Sequence, residues 1–398
     1  LDNKEDLLGN PATDGEVLSS TAAGVRSWTP KSDSIVIVKT AADLSGVLDS
    51  SKIYVIDGII DMGSQSIEVP AGGLNLAGHT FDVSQLITSA TSYTMFTSPV
   101  GGSGNLIGRD YAVSVTGAGS KVYDLVSDTG NEAFEFARIN YNNCVDLGVI
   151  DNYRQGLEVG TGRFGGQPSL ELKGAWAGGY FIDTSIVRGI DNAMTGALFE
   201  AGTAFVMQSR FRSNMNVDLG TLAAYFDFAA ANFPNPNTLQ IQGSIVTRNG
   251  VSDSSDTTIT PNITAAELPS AWTNNIGLSN TFPGGELTIT SETATVIAAV
   301  STFYDMAGTW TATDLQHFDS PANGQIRHLG DNPTEYKVIG DLLIDSTANN
   351  ELEIRVRRWD DSASAFVVEG TQLRQVNNLV GGRNVAFFNF NIHVTLDQ

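Results

Sequence analysis

AFEFARINYNNCVDLGVIDNYRQGLEVG, residues 133–160, decides the fold. Within it AFEFARINY (133–141), LGVIDN (147–152) and GLEVG (156–160) read as short strands, each closed by Asn or Gly. Such residues tolerate the left-handed backbone of a sharp corner. In the first strand Phe134, Phe136 and Ile139 would face inward, with Glu135 and Arg138 outward. The same grammar extends in both directions, from SIVIV (34–38) and KIYVIDG (52–58) to SLELKG (169–174), YFIDTSIVRG (180–189) and TLQIQGSIVTRNG (238–250). Two or three strands fall in each stretch of roughly 20 to 30 residues, the pattern of a parallel β-helix whose coils bury their apolar sides only by stacking. A β-sandwich or a propeller is the competing reading, although no blade-length repeat with a fixed signature is visible.

Helical periodicity is scarce. The best helical candidate is short, Ala41 to Leu48 with Thr40 as N-cap. The expected fold class is therefore all-β, with a parallel β-helix-like body over 33–262. Residues 1–32 are polar and turn-rich and read as an extended arm that needs a partner or further copies of the chain for order. A turn-rich linker is expected over 263–284. From 285 to 398 the strands lengthen. LEIRVRRW alternates Leu352, Ile354, Val356 and Arg358 against Glu353, Arg355, Arg357 and Trp359. Hairpin signals at Asn349-Asn350, Asp360-Asp361 and Gly381-Gly382 suggest an antiparallel jelly-roll sandwich. The chain closes on a strand, VTLDQ, so the sandwich is expected to be clipped at its C-terminus. It opens at Leu1 with no apolar leader, which fits intracellular assembly or a trimmed start.

Charge narrows the function classes. Asp and Glu number 44 against 22 Lys and Arg, a net charge of −22. Phosphate neutralisation, the main source of nucleic-acid affinity, would give way to repulsion here, and anionic lipid surfaces would repel the chain as well. No run approaches the roughly 20 apolar residues of a membrane helix. The single cysteine, Cys144, excludes an internal disulfide framework and reads as a buried small hydrophobe.

The motifs that carry chemistry are sparse. Glu132, Glu135, Asp151, Glu158 and Asp183 fall on expected outer faces, where two carboxyls about 5 to 9 Å apart would suffice for glycoside hydrolysis. Any acidic β-protein also places carboxylates there. Asn152, Tyr153 and Arg154 beside Asp151 read either as a sugar-contacting cluster or as an ordinary polar corner. Trp176, Tyr180, Trp310 and Trp359 read as ligand platforms or as core and interface residues. His317 and His328 flank a turn with Asp319, where a packed corner competes with a metal site. Glycine pairs such as Gly160 and Gly162 open no helix, so no nucleotide site follows. No residue is assigned a catalytic, cofactor-binding or metal-binding role, and no cofactor is expected.

Several segments resemble a known class. GNPATDGEVLSSTAAGVRSW (9–28) resembles a module near the N-termini of bacteriophage tail-fibre and related virion proteins. FTSPVGGSGNLIG (96–108), GNEAFEFARINYNNC (130–144), SRFRSNMN (209–216) and LQHFDSPANGQIRHLG (315–330) are similar to marine-phage proteins with a β-helical region followed by a tumour-necrosis-factor-like jelly roll. The resemblance implies a homotrimeric fibre or spike on the outside of a virion, joined to other virion proteins through residues 1–32 and contributing to attachment to a host-surface glycan. A tailspike depolymerase that cleaves surface polysaccharide is the alternative, and a capsid head fibre or decoration protein is a third reading.

Overall fold

The computed structural model describes residues 16–20, 26–30, 34–235, 238–252, 256–263, 270–281, 284–299, 302–316, 318–328, 334–346, 350–360, 364–367 and 374–394. The described chain is all-β, with only single turns of helix. It divides into two compact units, residues 1–265 with 269–280, and residues 266–268 with 281–398.

The first unit contains a parallel β-helix with three strand stacks. Stack A runs from Ile35–Val38 through Ile53–Ile56, Leu74–Gly78, Leu106–Arg109, Ala133–Ala137 and Gln155–Val159 to the first half of Gly179–Arg188 and beyond. Stack B holds Gln85–Thr88, Ala112–Val115, Asn140–Asn142 and Gly162–Phe164, continuing into the second half of Gly179–Arg188. Stack C holds Thr94–Thr97, Lys121–Val126, Gly148–Asp151, Leu170–Lys173 and Ala197–Ala201. All these pairings are parallel. The repeat is not constant: Leu74 pairs Leu106, 32 residues on, whereas Phe134 pairs Gly156, 22 residues on. Ser270–Thr273, read from the sequence as linker, is a further stack A strand paired to Leu239–Gln242.

The corners explain the Asn and Gly content. Asn142, Phe164 and Arg188 share one register level, and the next residues, Asn143, Gly165 and Gly189, have φ of 50°, 73° and 66°. One left-handed residue per coil turns the chain between stacks, a conformation that Gly and Asn adopt at least cost.

Alternation fills the interior. Phe134, Phe136 and Ile139 are buried, whereas Glu135 and Arg138 point out, as the pattern of the deciding stretch implies. Aromatic rings continue along the core: Phe96 on Tyr123 at 5.4 Å, Tyr123 on Phe134 at 5.1 Å, and Trp176 on Tyr180 at 5.5 Å. Each buried large side chain contributes about 1.5–3 kcal/mol of transfer free energy. The helix expected over Ala41 to Leu48 is a single 3-10 turn, Ala41–Leu44. Asp43 bonds back to the Thr40 N–H at 2.9 Å, and Leu44 and Leu48 are buried.

Of residues 1–32, Glu16–Ser20 and Arg26–Pro30 are described and form an antiparallel hairpin. In the second unit the described strands form two-stranded antiparallel sheets, and a packed two-sheet sandwich is not seen among them. Three sheets nest into one ribbon: Thr334–Ser346 with Gly382–Val394, Asn350–Arg355 with Arg374–Leu379, and Arg358–Asp360 with Ala365–Val367. Gly340 sits opposite Phe388, whose ring fills the space a Cβ would take. Among its described residues Ala386 and Phe390 are the buried hydrophobic ones.

Candidate functional site

The outer face of stack C carries a groove of about 730 Å³. Lys121, Asp146, Gln167, Glu171, Lys173 and Glu200 line it. Period-2 alternation puts Leu170 and Leu172 in the core and turns Glu171 and Lys173 outward. Glu171 and Glu200 are register partners on successive coils, but their carboxylates lean apart, Glu171 towards Lys173 and Gly202 and Glu200 back towards Gly196 and the Ala197 N–H. Strand spacing sets their backbones roughly 4.8 Å apart. Gly148, with φ of 85°, has no room for a side chain: a Cβ would lie 2.0 Å from the Tyr123 carbonyl oxygen.

The groove residues hold one another in place. Lys173 Nζ lies 3.2 Å from Glu171 Oε2, and Lys121 Nζ 3.0 Å from Asp124 Oδ2. The Gly148 N–H donates to Asp146 Oδ1 at 2.7 Å, and the Ala197 N–H to Glu200 Oε1 at 3.2 Å. Burial pushes the Asp146 carboxyl above its ordinary range, and the charges of Glu200 and Glu171 push the same way. Burial also raises Asp151 and Asp227, again with Glu171 contributing. Acid groups clustered in this way, with two ammonium groups and an amide among them, present both donors and acceptors to a polyhydroxylated ligand.

The residues singled out from sequence are dispersed by the fold. Glu135 lies on stack A and bonds Gln155 Nε2 at 2.6 Å, and Asp183 accepts from Asn214 Nδ2 at 3.0 Å at a corner. Glu132 is buried, and hydrogen bonds from Ser127, Thr129 and nearby backbone outweigh its desolvation and hold it at about 2. Glu158 does not lie on an outer face. It is 1% exposed, because its strand position is an inward one, and it is met there by Arg163 at 3.0 Å and by the Tyr180 hydroxyl at 2.5 Å. Arg163 also donates to the Leu198 carbonyl at 3.0 Å and lies over the Phe199 ring. Asp151 alone reaches the face that bears the groove.

Tyr153 is not a sugar platform: it is buried, and its hydroxyl meets Ser103 at 2.7 Å. Desolvation pushes that phenol up to about 12. Asn152 is a corner residue with φ of 59°, and Arg154 is exposed. Trp176 and Tyr180 are core residues, Trp310 is half-buried, and Trp359 packs edge-on to Phe366 at 5.1 Å. Asp319 is paired with Arg327, and His328 packs on Phe318 at 5.6 Å. His317 lies outside the described residues. Among the described residues no group of three or more His, Cys, Asp or Glu is placed to hold a metal ion, and no helix is long and apolar enough to cross a membrane. Cys144 is buried, with its thiol pushed up to about 12 by desolvation.

Sequence reasoning missed Asp146, Glu171 and Glu200. The signal was the outward position of Glu171 in SLELKG and of Glu200 in ALFEAG, 29 positions apart and adjacent only through coil stacking. No family model matches the chain, no curated protein matches it in sequence, and no solved structure matches it.

Proposed function

We propose that this chain is a structural attachment protein on the exterior of a bacteriophage, a homotrimeric tail fibre or spike whose β-helical body binds a polysaccharide of the host surface. The groove on stack C carries the reading: a polar concavity on a parallel sheet, lined by both donors and acceptors. Carboxylates and lysines nearly balance within it, which suits a neutral or zwitterionic glycan better than a polyanion. Residues 1–32 serve as the virion-attachment arm. The nested ribbon of the second unit is the element from which a jelly roll is wound, and it supports a jelly-roll domain in the assembled particle. Weak binding per chain suffices, since several copies per particle multiply it.

A specific observation favours depolymerase activity as a second reading. Glu171, Glu200 and Asp146 bring three carboxyls to one groove, and Asp146 is pushed towards its protonated form, although the Glu171 and Glu200 carboxylates lean apart from their shared register position. Against it, among the described residues no aromatic side chain lines the groove to stack on a sugar ring. Incubating the protein with polysaccharide from host envelopes separates the readings. Retention of the intact polymer, lost in Glu171→Gln/Glu200→Gln, is expected. New reducing ends or unsaturated uronates would establish the depolymerase, and absence of any binding would remove both.

A further inference from the structure

Stack A presents an outer surface unlike that of stack C. One outward column holds Ile35, Ile53, Ile107, Leu157 and Phe181, interrupted by Asn75 and Glu135. The column two residues further along each strand holds Ile37, Val55, Ala137 and Val159, with Ala77 buried and with Arg109 and Asp183 in the same column. Ile35 and Ile37 are 52% and 48% exposed, and Ile107 is 36% exposed. Charges on this surface cancel: Arg109 and Arg212 stand against Glu135 and Asp183, and both acids are already hydrogen-bonded within the chain. A face of zero net charge on a chain of −22 is where like-charged copies meet with least repulsion.

We propose that the outer face of stack A is the surface through which copies of this chain assemble side by side. This rests on the reading of the protein as a homo-oligomeric fibre and says which face builds it. Eight strands from Ile35 to Phe211 at roughly 4.8 Å spacing make a strip about 34 Å long. With strands of four to five residues it is on the order of 500 Å² in projection and more as accessible surface, approaching the ~800 Å² per partner of stable interfaces. Around the threefold axis of the proposed fibre each copy turns this neutral, largely apolar strip towards the other two, and the assembly leaves stack C, with its groove, facing outward.

The test uses the full chain and measures mass by sedimentation and light scattering. The native protein is expected at a multiple of 42.3 kDa. The double variant Leu157→Glu/Phe181→Glu changes outward side chains only, so it is expected to keep its circular dichroism while the concentration of half-dissociation rises at least tenfold. The matched change on stack C, Val149→Glu, leaves the mass unaltered. Should the double variant fail to fold, Val159→Cys decides: copper-catalysed air oxidation is expected to yield a disulfide-linked dimer on a denaturing gel, with buried Cys144 as a silent background. A native monomer would sink the oligomeric reading and this inference with it. A native multimer that the folded double variant retains overturns this inference alone, as does an unfolded double variant together with no cross-link through Val159→Cys.

Discussion

Arg163 and Glu158 are each 1% exposed in a core that is mostly aromatic and aliphatic. Removing one partner leaves the other charge buried and uncompensated, so Arg163→Met is expected to cost about 3–5 kcal/mol in denaturant titrations. The double change Glu158→Gln/Arg163→Met should recover most of that loss, since both charges then go together. A single-variant loss below about 1 kcal/mol would show that the pair is not desolvated as the geometry requires. In the groove the electrostatics run the opposite way. The Asp146 carboxyl is raised from 3.8 by burial and by Glu200 and Glu171, so its ionisation opposes folding at neutral pH. A raised acid contributes stability only while protonated, and that contribution is lost as pH rises. Asp146→Asn is therefore expected to raise the urea midpoint at pH 7, with the gain vanishing by about pH 3 where both forms are neutral. An equal gain at both pH values would point to packing instead. A carboxyl whose ionisation is disfavoured in the lining of a groove is what a binding surface predicts.

At the scale of strands and corners, the backbone sets sharp tests. Gly148→Ala would drive a Cβ into the Tyr123 carbonyl at a φ of 85°, and a loss of several kcal/mol or failure to fold is expected from thermal melts. Ala204 is the converse: an exposed alanine at φ of 56°, where Ala204→Gly is expected to stabilise by roughly 1 kcal/mol. The alternation of FEFARIN and the Asn and Gly that end its neighbours made strands, inward faces and corners legible from sequence. Period 2 is local information. Glu158 was misplaced because the first residue of GLEVG that faces the core depends on where the preceding corner turns, and that corner, at Asn152, comes directly before buried Tyr153. The groove was illegible for a longer-range reason. Its carboxylates come onto one face only once coils of unequal length are stacked, and unequal length hides the period that would align them.

For the whole molecule, a charge of −22 per chain sets how assembly responds to solution conditions. In the proposed assembly like-charged copies repel one another over a Debye length of about 10 Å at 0.1 M salt and about 30 Å at 0.01 M. Sedimentation velocity is expected to show dissociation rising as sodium chloride falls from 0.5 M to 0.01 M. The opposite trend would mean that ion pairs, not an apolar strip, hold the copies together. The unequal coil length has a further consequence. Offsets of 22 and 32 residues are carried by the same stacks, so ten extra residues are absorbed between strands without disturbing a register. What a coil holds together and what it displays are therefore separately inheritable: insertions at the turns that border the groove would alter its rim while the ladder beneath stays in step. A foreign peptide of about that length, spliced between Asp191 and Gly196, should be shown on the surface of a protein that still folds. The β-helix is in this sense a display scaffold, and what it displays can diverge by loop growth with the core sequence held constant.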